Sequence, residues 1–95
     1  MLIYVCVKAE QQQEREQAKK IMQMLARDIE NTYICAAFTF DYLPPPDMQQ
    51  EADRDIMRED LICACDKMIV ATELTEDILR DIEFAKNIKI PIEYI

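Results

Sequence analysis

Glycine and histidine are both missing from this 95-residue chain. Average usage would place roughly six or seven glycines here. Loops that cradle phosphate depend on glycine, because their backbone N–H groups approach the ligand closely and adopt positive φ. No such loop can be written with these residues. Without histidine, no imidazole can act as base or nucleophile. Long apolar runs are missing too: none nears the ~20 residues that span a bilayer. The opening Met1–Lys8 segment has no basic stretch ahead of its apolar one. Neither a signal peptide nor a membrane partner is expected, and the protein is expected to be cytoplasmic.

Bases are scarce relative to acids. Eleven Lys and Arg face 19 Asp and Glu, for a net charge of −8. The chain carries no basic patch, so direct nucleic-acid binding is not expected. The four cysteines are Cys6, Cys35, Cys63 and Cys65. Cys6 and Cys35 lie inside apolar runs and read as small buried hydrophobes. Cys63 and Cys65 form a C-x-C rather than a C-x-x-C, and no other ligands stand at zinc spacing. The cysteines are therefore expected to be structural thiols, with no metal and no cofactor.

What is present alternates regularly. Leu2–Val7 is a continuous apolar run of the kind that forms a fully buried parallel strand. Ala18, Ile21, Met22, Leu25 and Ile29 recur at helical spacing and predict one amphipathic helix. Tyr33–Phe38 reads as a second strand. Pro44-Pro45-Pro46 requires a loop, and Asp47 can cap a helix starting near Met48. That helix is expected to bury Ala52, Ile56, Met57, Leu61 and Ala64. Lys67–Thr72 reads as a third strand. Thr75 caps a third helix, with Glu76 and Asp77 favourably placed in its first turn and Ile78, Ile82 and Ala85 as its buried stripe. Ile90–Ile95 is the last strand, with Pro91 best suited to a strand start or a sheet edge.

The expected fold is thus α/β: one domain over residues 1–95, a small three-layer sandwich of the flavodoxin or Rossmann kind. Its order is β-α-β-α-β-α-β, with a parallel four-stranded sheet in the order 2-1-3-4. Ligands of such sheets bind beyond the carboxyl ends of the strands. Here that rim is Val7–Glu10, Phe38–Leu43 and Thr72–Thr75.

Three segments carry a resemblance. They are the opening MLIYVC, the helix-to-strand join Leu61-Ile-Cys-Ala-Cys-Asp66-Lys-Met-Ile-Val70, and Thr75-Glu-Asp-Ile-Leu-Arg-Asp81-Ile-Glu-Phe-Ala-Lys86 followed by Ile88-Lys-Ile-Pro-Ile92. Together, in this order, they resemble the nucleoside 2-deoxyribosyltransferase-like family, in particular its small bacterial and phage branch. The resemblance implies chemistry at an N-glycosidic bond, with a glutamate of the last helix attacking the sugar. That position holds Asp81, one methylene shorter, where a misplacement of about 1 Å can cost ~100-fold. The serine or aspartate that contacts sugar or phosphate falls on Thr75, and the glycine two residues later on Asp77. A second family carboxylate falls on Arg58, with Asp55, Glu59 and Asp60 nearby. The first loop reads Val7-Lys-Ala-Glu-Gln11, without the tyrosine, arginine and glycine of relatives.

The fold signals therefore persist while the catalytic ones are altered. The leading expectation is a non-catalytic acidic binding or inhibitor protein on this scaffold. A phage counter-defence protein that mimics nucleic acid, in the manner of anti-CRISPR inhibitors, is one concrete form. Its partner would be a basic protein surface such as a nucleic-acid-binding groove, met by Glu51, Asp53, Asp55, Glu59, Glu73 and Glu76. The alternative is a divergent deoxyribosyltransferase or deoxynucleotide N-hydrolase. Asp81 is then the nucleophile and Asp60 or Asp55 its acid/base partner, with Thr75, Asp77 and Lys8 at the substrate. Otherwise Asp81 and Glu83 are expected to be solvated charges on a helix face. A homodimer is expected, since so short a chain gains core by association.

Overall fold

The computed structural model describes residues 1–39 and 51–95, with side chains at 1–38 and 55–95. Strand β1 (Leu2–Cys6) is the apolar run expected, and its interior residues are buried. It lies between β2 (Thr32–Ile34) and β3 (Lys67–Val70), and β4 (Ile92–Tyr94) completes a four-stranded sheet in the order β2-β1-β3-β4. Every pairing is parallel, in registers such as Tyr4↔Ile34, Tyr4↔Met68 and Met68↔Ile92.

Alternation along β1 separates two apolar layers. Tyr4 and Cys6, with Met68 and Val70, pack on α3 (Glu51–Cys63) and α4 (Glu76–Asn87) through Ile62, Ile78, Ile82 and Ala85. Val5 and Val7 face α1 (Gln12–Leu25) through Ala18, with Ile21, Met22 and Leu25 half-buried around it. The short α2 (Ala36–Thr39) follows β2.

Several predicted segments end earlier than expected. The first helix stops at Leu25, and Ile29, assigned to its stripe, is 95% exposed. The cause is Asp28. Its carboxylate accepts from the Glu30 N–H (3.1 Å), Asn31 Nδ2 (2.6 Å) and the Tyr33 hydroxyl (3.0 Å). Such local bonds offer the backbone an alternative to the helix. The second strand ends at Ile34, its last pair with β1, and the following Ala36-Ala37-Phe38 turns helical. A short apolar run does not by itself distinguish strand from buried helix, and alanine favours the helix. Strands β3 and β4 are also shorter than Lys67–Thr72 and Ile90–Ile95. Pro91 sits just before the edge strand β4, where its carbonyl accepts from the Met68 N–H at 2.9 Å. The helix start near Met48, its Asp47 cap, Ala52 as a buried side chain and the triple-proline loop lie outside the described residues.

Helix α3 is rotated relative to the expected stripe. Ile62 and Cys65 are buried, Met57 and Leu61 are half-buried, and Ile56 is 55% exposed, with Ala64 also exposed. The inward line is Arg58, Ile62, Cys65, at the i, i+4, i+7 spacing of one helix face. An arginine in that line hid it from a reading that counts apolar residues.

Helix α4 shows how the chain manages without glycine. Beyond its cap at Ile88, the Ile90 N–H donates to the Ala85 carbonyl (3.0 Å) and the Lys89 N–H to the Lys86 carbonyl (3.1 Å). This is a Schellman ending, whose left-handed position is usually glycine. Here Lys89 adopts it, at φ 63°, a conformation that costs a non-glycine residue about 1–2 kcal/mol.

The rotation of α3 is testable. Ile62→Ala is expected to lower stability by about 2–5 kcal/mol, as for other buried isoleucines. Ile56→Ala should stay within about 0.5 kcal/mol. Urea denaturation of the two variants checks this, and the reverse order would place the expected stripe on the core.

Candidate functional site

The inward Arg58 meets the one acidic residue buried among those described. Asp81 stands on α4 between Ile78, Ile82 and Ala85 and is 6% exposed. It belongs to the same helix face as the apolar stripe, so it is no solvated surface charge; Glu83, by contrast, is exposed. The Asp81 carboxylate is held from two elements. The Tyr4 hydroxyl of β1 donates to Oδ2 at 3.2 Å, and Arg58 Nε of α3 donates to Oδ1 at 3.2 Å. Tyr4 itself is 2% exposed.

The arrangement extends outward from there. Arg58 Nη2 pairs with Asp55 and lies 3.6 Å from Asp77 Oδ1. Arg80 Nη1 reaches back from α4 to Asp55 Oδ2 at 3.0 Å. Two guanidiniums and three carboxylates thus bind α3 to α4, and Tyr4 connects them to the sheet.

The electrostatics follow from burial. Burial raises the Asp81 pKa above the ordinary carboxylate value, although Arg58 and the Tyr4 hydrogen bond pull it back. Burial disfavours the charge on Arg58, but Asp81, Asp77 and Asp55 outweigh it and its pKa is raised. Tyr4 is pushed well above the ordinary tyrosine range, by burial first and by the Asp81 charge second. It is a hydroxyl donor at any physiological pH.

The remaining site candidates have separate roles. Thr75 caps α4, its Oγ1 accepting from the Ile78 N–H at 3.2 Å. Asp77 lies in the first turn of α4 against Arg58. Lys8, at the carboxyl end of β1, pairs with Glu14 at 3.0 Å, while its N–H donates to Thr72 Oγ1 at 2.8 Å. Asp60 is exposed on α3 and has no part in the group around Asp81. Glu59, Glu73 and Glu76 are exposed, whereas Asp55 is half-buried in its ion pairs; the side chains of Glu51 and Asp53 lie outside the described residues.

Sequence reasoning missed Tyr4, read simply as a strand residue, and the inward direction of Arg58. The available signal for Arg58 was its place four residues before Ile62 and seven before Cys65.

No cluster of metal-ligating side chains occurs among the described residues. All four cysteines are free; Cys63 is exposed and the others are buried. Burial, then the Asp66 charge, pushes the Cys65 thiol up to about 11. Burial first, then the charge of Asp81, raises Cys6 as well. Neither is an activated thiolate. No helix of the described residues is long and apolar enough to cross a membrane.

Chemically, a carboxylate attacks carbon through an oxygen lone pair facing open space. Each Asp81 oxygen accepts one bond, one from a phenol and one from a guanidinium, and the residue is buried within a packed layer. Arg58 on α3 is the cationic partner of this carboxylate. Family models, curated proteins and solved structures yield no match to this chain.

Removing one member of a buried pair strands the other. Asp81→Ala is expected to cost about 3–5 kcal/mol, and Tyr4→Phe about 1.5–3 kcal/mol, the range for hydrogen bonds to charged groups. Denaturant midpoints read both. The pH dependence has a definite sign. A carboxyl with a raised folded-state pKa binds its proton more tightly folded than unfolded. Its contribution is therefore largest at low pH and falls as pH rises from its ordinary value to the raised one. The stability difference between the native chain and Asp81→Asn should decline through that window; a difference that grows would contradict the assignment.

Proposed function

We propose that this chain is a non-catalytic acidic binding protein on a nucleoside 2-deoxyribosyltransferase-like scaffold. Its acidic side meets a basic protein surface, such as the nucleic-acid-binding groove of a nuclease, in the manner of a phage counter-defence inhibitor. The observation that carries this reading is the sealing of Asp81. The carboxylate at the nucleophile position of the resemblance is buried and bound at both oxygens.

The charge distribution supports the binding half of the proposal. Glu59, Asp60, Glu73, Glu76 and Asp77 are all exposed on α3, on α4 and in the loop before α4. Glu73, Glu76 and Asp77 stand just beyond the carboxyl end of β3, on the rim where ligands of parallel sheets bind. A negative rim repels phosphate and attracts a cationic groove.

The buried group itself favours a second reading. A carboxyl with a raised pKa, beside a phenol and a guanidinium, is the kind of environment in which functional groups are tuned. In that reading Arg58 withdraws, Asp81 attacks the anomeric carbon of a deoxynucleoside or deoxynucleotide as the N-glycosidic bond breaks and the base leaves with a proton from water, and water or a second base then displaces Asp81 from the sugar.

One pair of assays separates the two. Incubation with deoxynucleosides and their monophosphates, followed by chromatography, is expected to show no base release. Release that disappears in Asp81→Asn would overturn the binding reading in favour of the enzyme. Inhibition of a basic nuclease at low salt is the complementary assay. The double reversal Glu73→Lys, Glu76→Lys should weaken it at least ~10-fold, the lower end of electrostatic steering effects. Inhibition indifferent to both reversals would remove the acidic rim from the interface.

A further inference from the structure

The two edges of the sheet are not equivalent. At β4, Pro91 precedes the strand and Glu93 lies within it, paired with Lys67 on β3. Proline and charge on an edge strand discourage pairing with another chain. Strand β2 (Thr-Tyr-Ile) carries neither. In the parallel ladder with β1, the Thr32 N–H donates to the Met1 carbonyl at 2.9 Å, and Tyr33 is the alternate residue opposite Ile3. Alternate residues turn their N–H and C=O to opposite edges, so those of Tyr33 face outward, and no strand among the described residues pairs with them.

An apolar groove adjoins this edge. Met22, Ala26, Ile29, Asn31 and Tyr33 line an open groove of about 450 Å³ between the end of α1 and β2. Ile29 is almost fully exposed there, as is much of Met24 on the last turn of α1. The acid in the lining, Asp28, is already bound by Asn31, Tyr33 and the Glu30 N–H.

Charge identifies the occupant. Over residues 1–38 the acids Glu10, Glu14, Glu16, Asp28 and Glu30 are balanced by Lys8, Arg15, Lys19, Lys20 and Arg27. The whole excess of −8 lies beyond residue 38. The described residues of α1 and β2 and the turn between them thus carry no net charge, so a second acidic chain meets less repulsion from them than from the acids of α3 and α4.

We infer that β2 is a dimer edge: two copies of this chain pair their β2 strands antiparallel about a two-fold axis at Tyr33, forming one eight-stranded sheet. The two Tyr33 residues exchange both backbone bonds as a hydrogen-bonded pair. Thr32 of each copy then lies opposite Ile34 of the other. The second copy's Ile34–Ala37 segment runs alongside the groove, covering Ile29. The contact is isologous and closes at two chains. It is independent of the acidic rim and of Asp81.

Sedimentation equilibrium across a dilution series tests it on the full chain. The mass should rise with concentration from 11.2 kDa to twice that value and no further. Ile29→Lys changes a solvent-exposed side chain, leaves the monomer folded, and should weaken dimerisation at least ~10-fold, as for a central interface residue. Tyr33→Pro removes the outward N–H and no ladder bond, and should do the same; if it weakens the fold, Ile29→Lys alone decides. Tyr94→Pro, at the β4 edge, should leave the dimer intact. A single-chain mass at every concentration overturns the inference. So does a dimer indifferent to Ile29→Lys, or one lost through Tyr94→Pro.

Discussion

The Asp81 carboxylate of α4 is shared between a strand, β1, and a helix, α3. Tyr4 reaches it from β1 and Arg58 reaches it from α3. Both donors have consequences elsewhere. Arg58 must point inward, which sets the rotation of α3 and puts Ile62 and Cys65 in the core while Ile56 faces solvent. Tyr4 must stand at the centre of β1 with its hydroxyl toward the helices, which assigns Val5 and Val7 to the α1 layer by alternation. A lone buried carboxylate would be costly. With a guanidinium and a phenol it becomes the fixed point where three elements meet. Replacing such a group by apolar residues is often neutral or stabilising, while removing one partner is not. Its value therefore lies in specifying one orientation of α3 and α4 more than in net stability.

The same group bears on function. The proposed binding role rests on an acid that is buried and bound by Tyr4 and Arg58. Glu59, Asp60, Glu76 and Asp77 are exposed on α3 and α4, and Glu73 in the loop before α4. The two proposed contacts use different elements: the exposed acids of α3, α4 and the loop before α4 for a basic partner, and the β2 edge for a second copy.

Much of the architecture was legible in the sequence because strand and helix periods differ. The Leu2–Val7 run, the Ile78, Ile82, Ala85 stripe and the alternation of strands and helices were enough for a parallel sheet in the order 2-1-3-4. The misreadings share a physical cause: polar residues acting where apolar ones were counted. Asp28 ended α1 early and left Ile29 in solvent. Arg58 held an inward helix position, which displaced the apparent stripe of α3. Asp81, taken for a surface charge, was buried because Arg58 and Tyr4 were there to receive it. Pairs separated by 23 and 77 residues leave no local signal. Lys89 shows the complementary case, a glycine conformation without glycine, visible only in the backbone.

The most direct test is a double-mutant cycle between Arg58 and Asp81, using Arg58→Met and Asp81→Asn in urea denaturation. Residues joined in one buried network typically couple by about 0.5–3 kcal/mol. The account requires the upper part of that range, with the double variant more stable than the two single losses sum to. Additivity within about 0.3–0.5 kcal/mol, the behaviour of independent sites, would contradict it, and Asp81 would then be free for some other use.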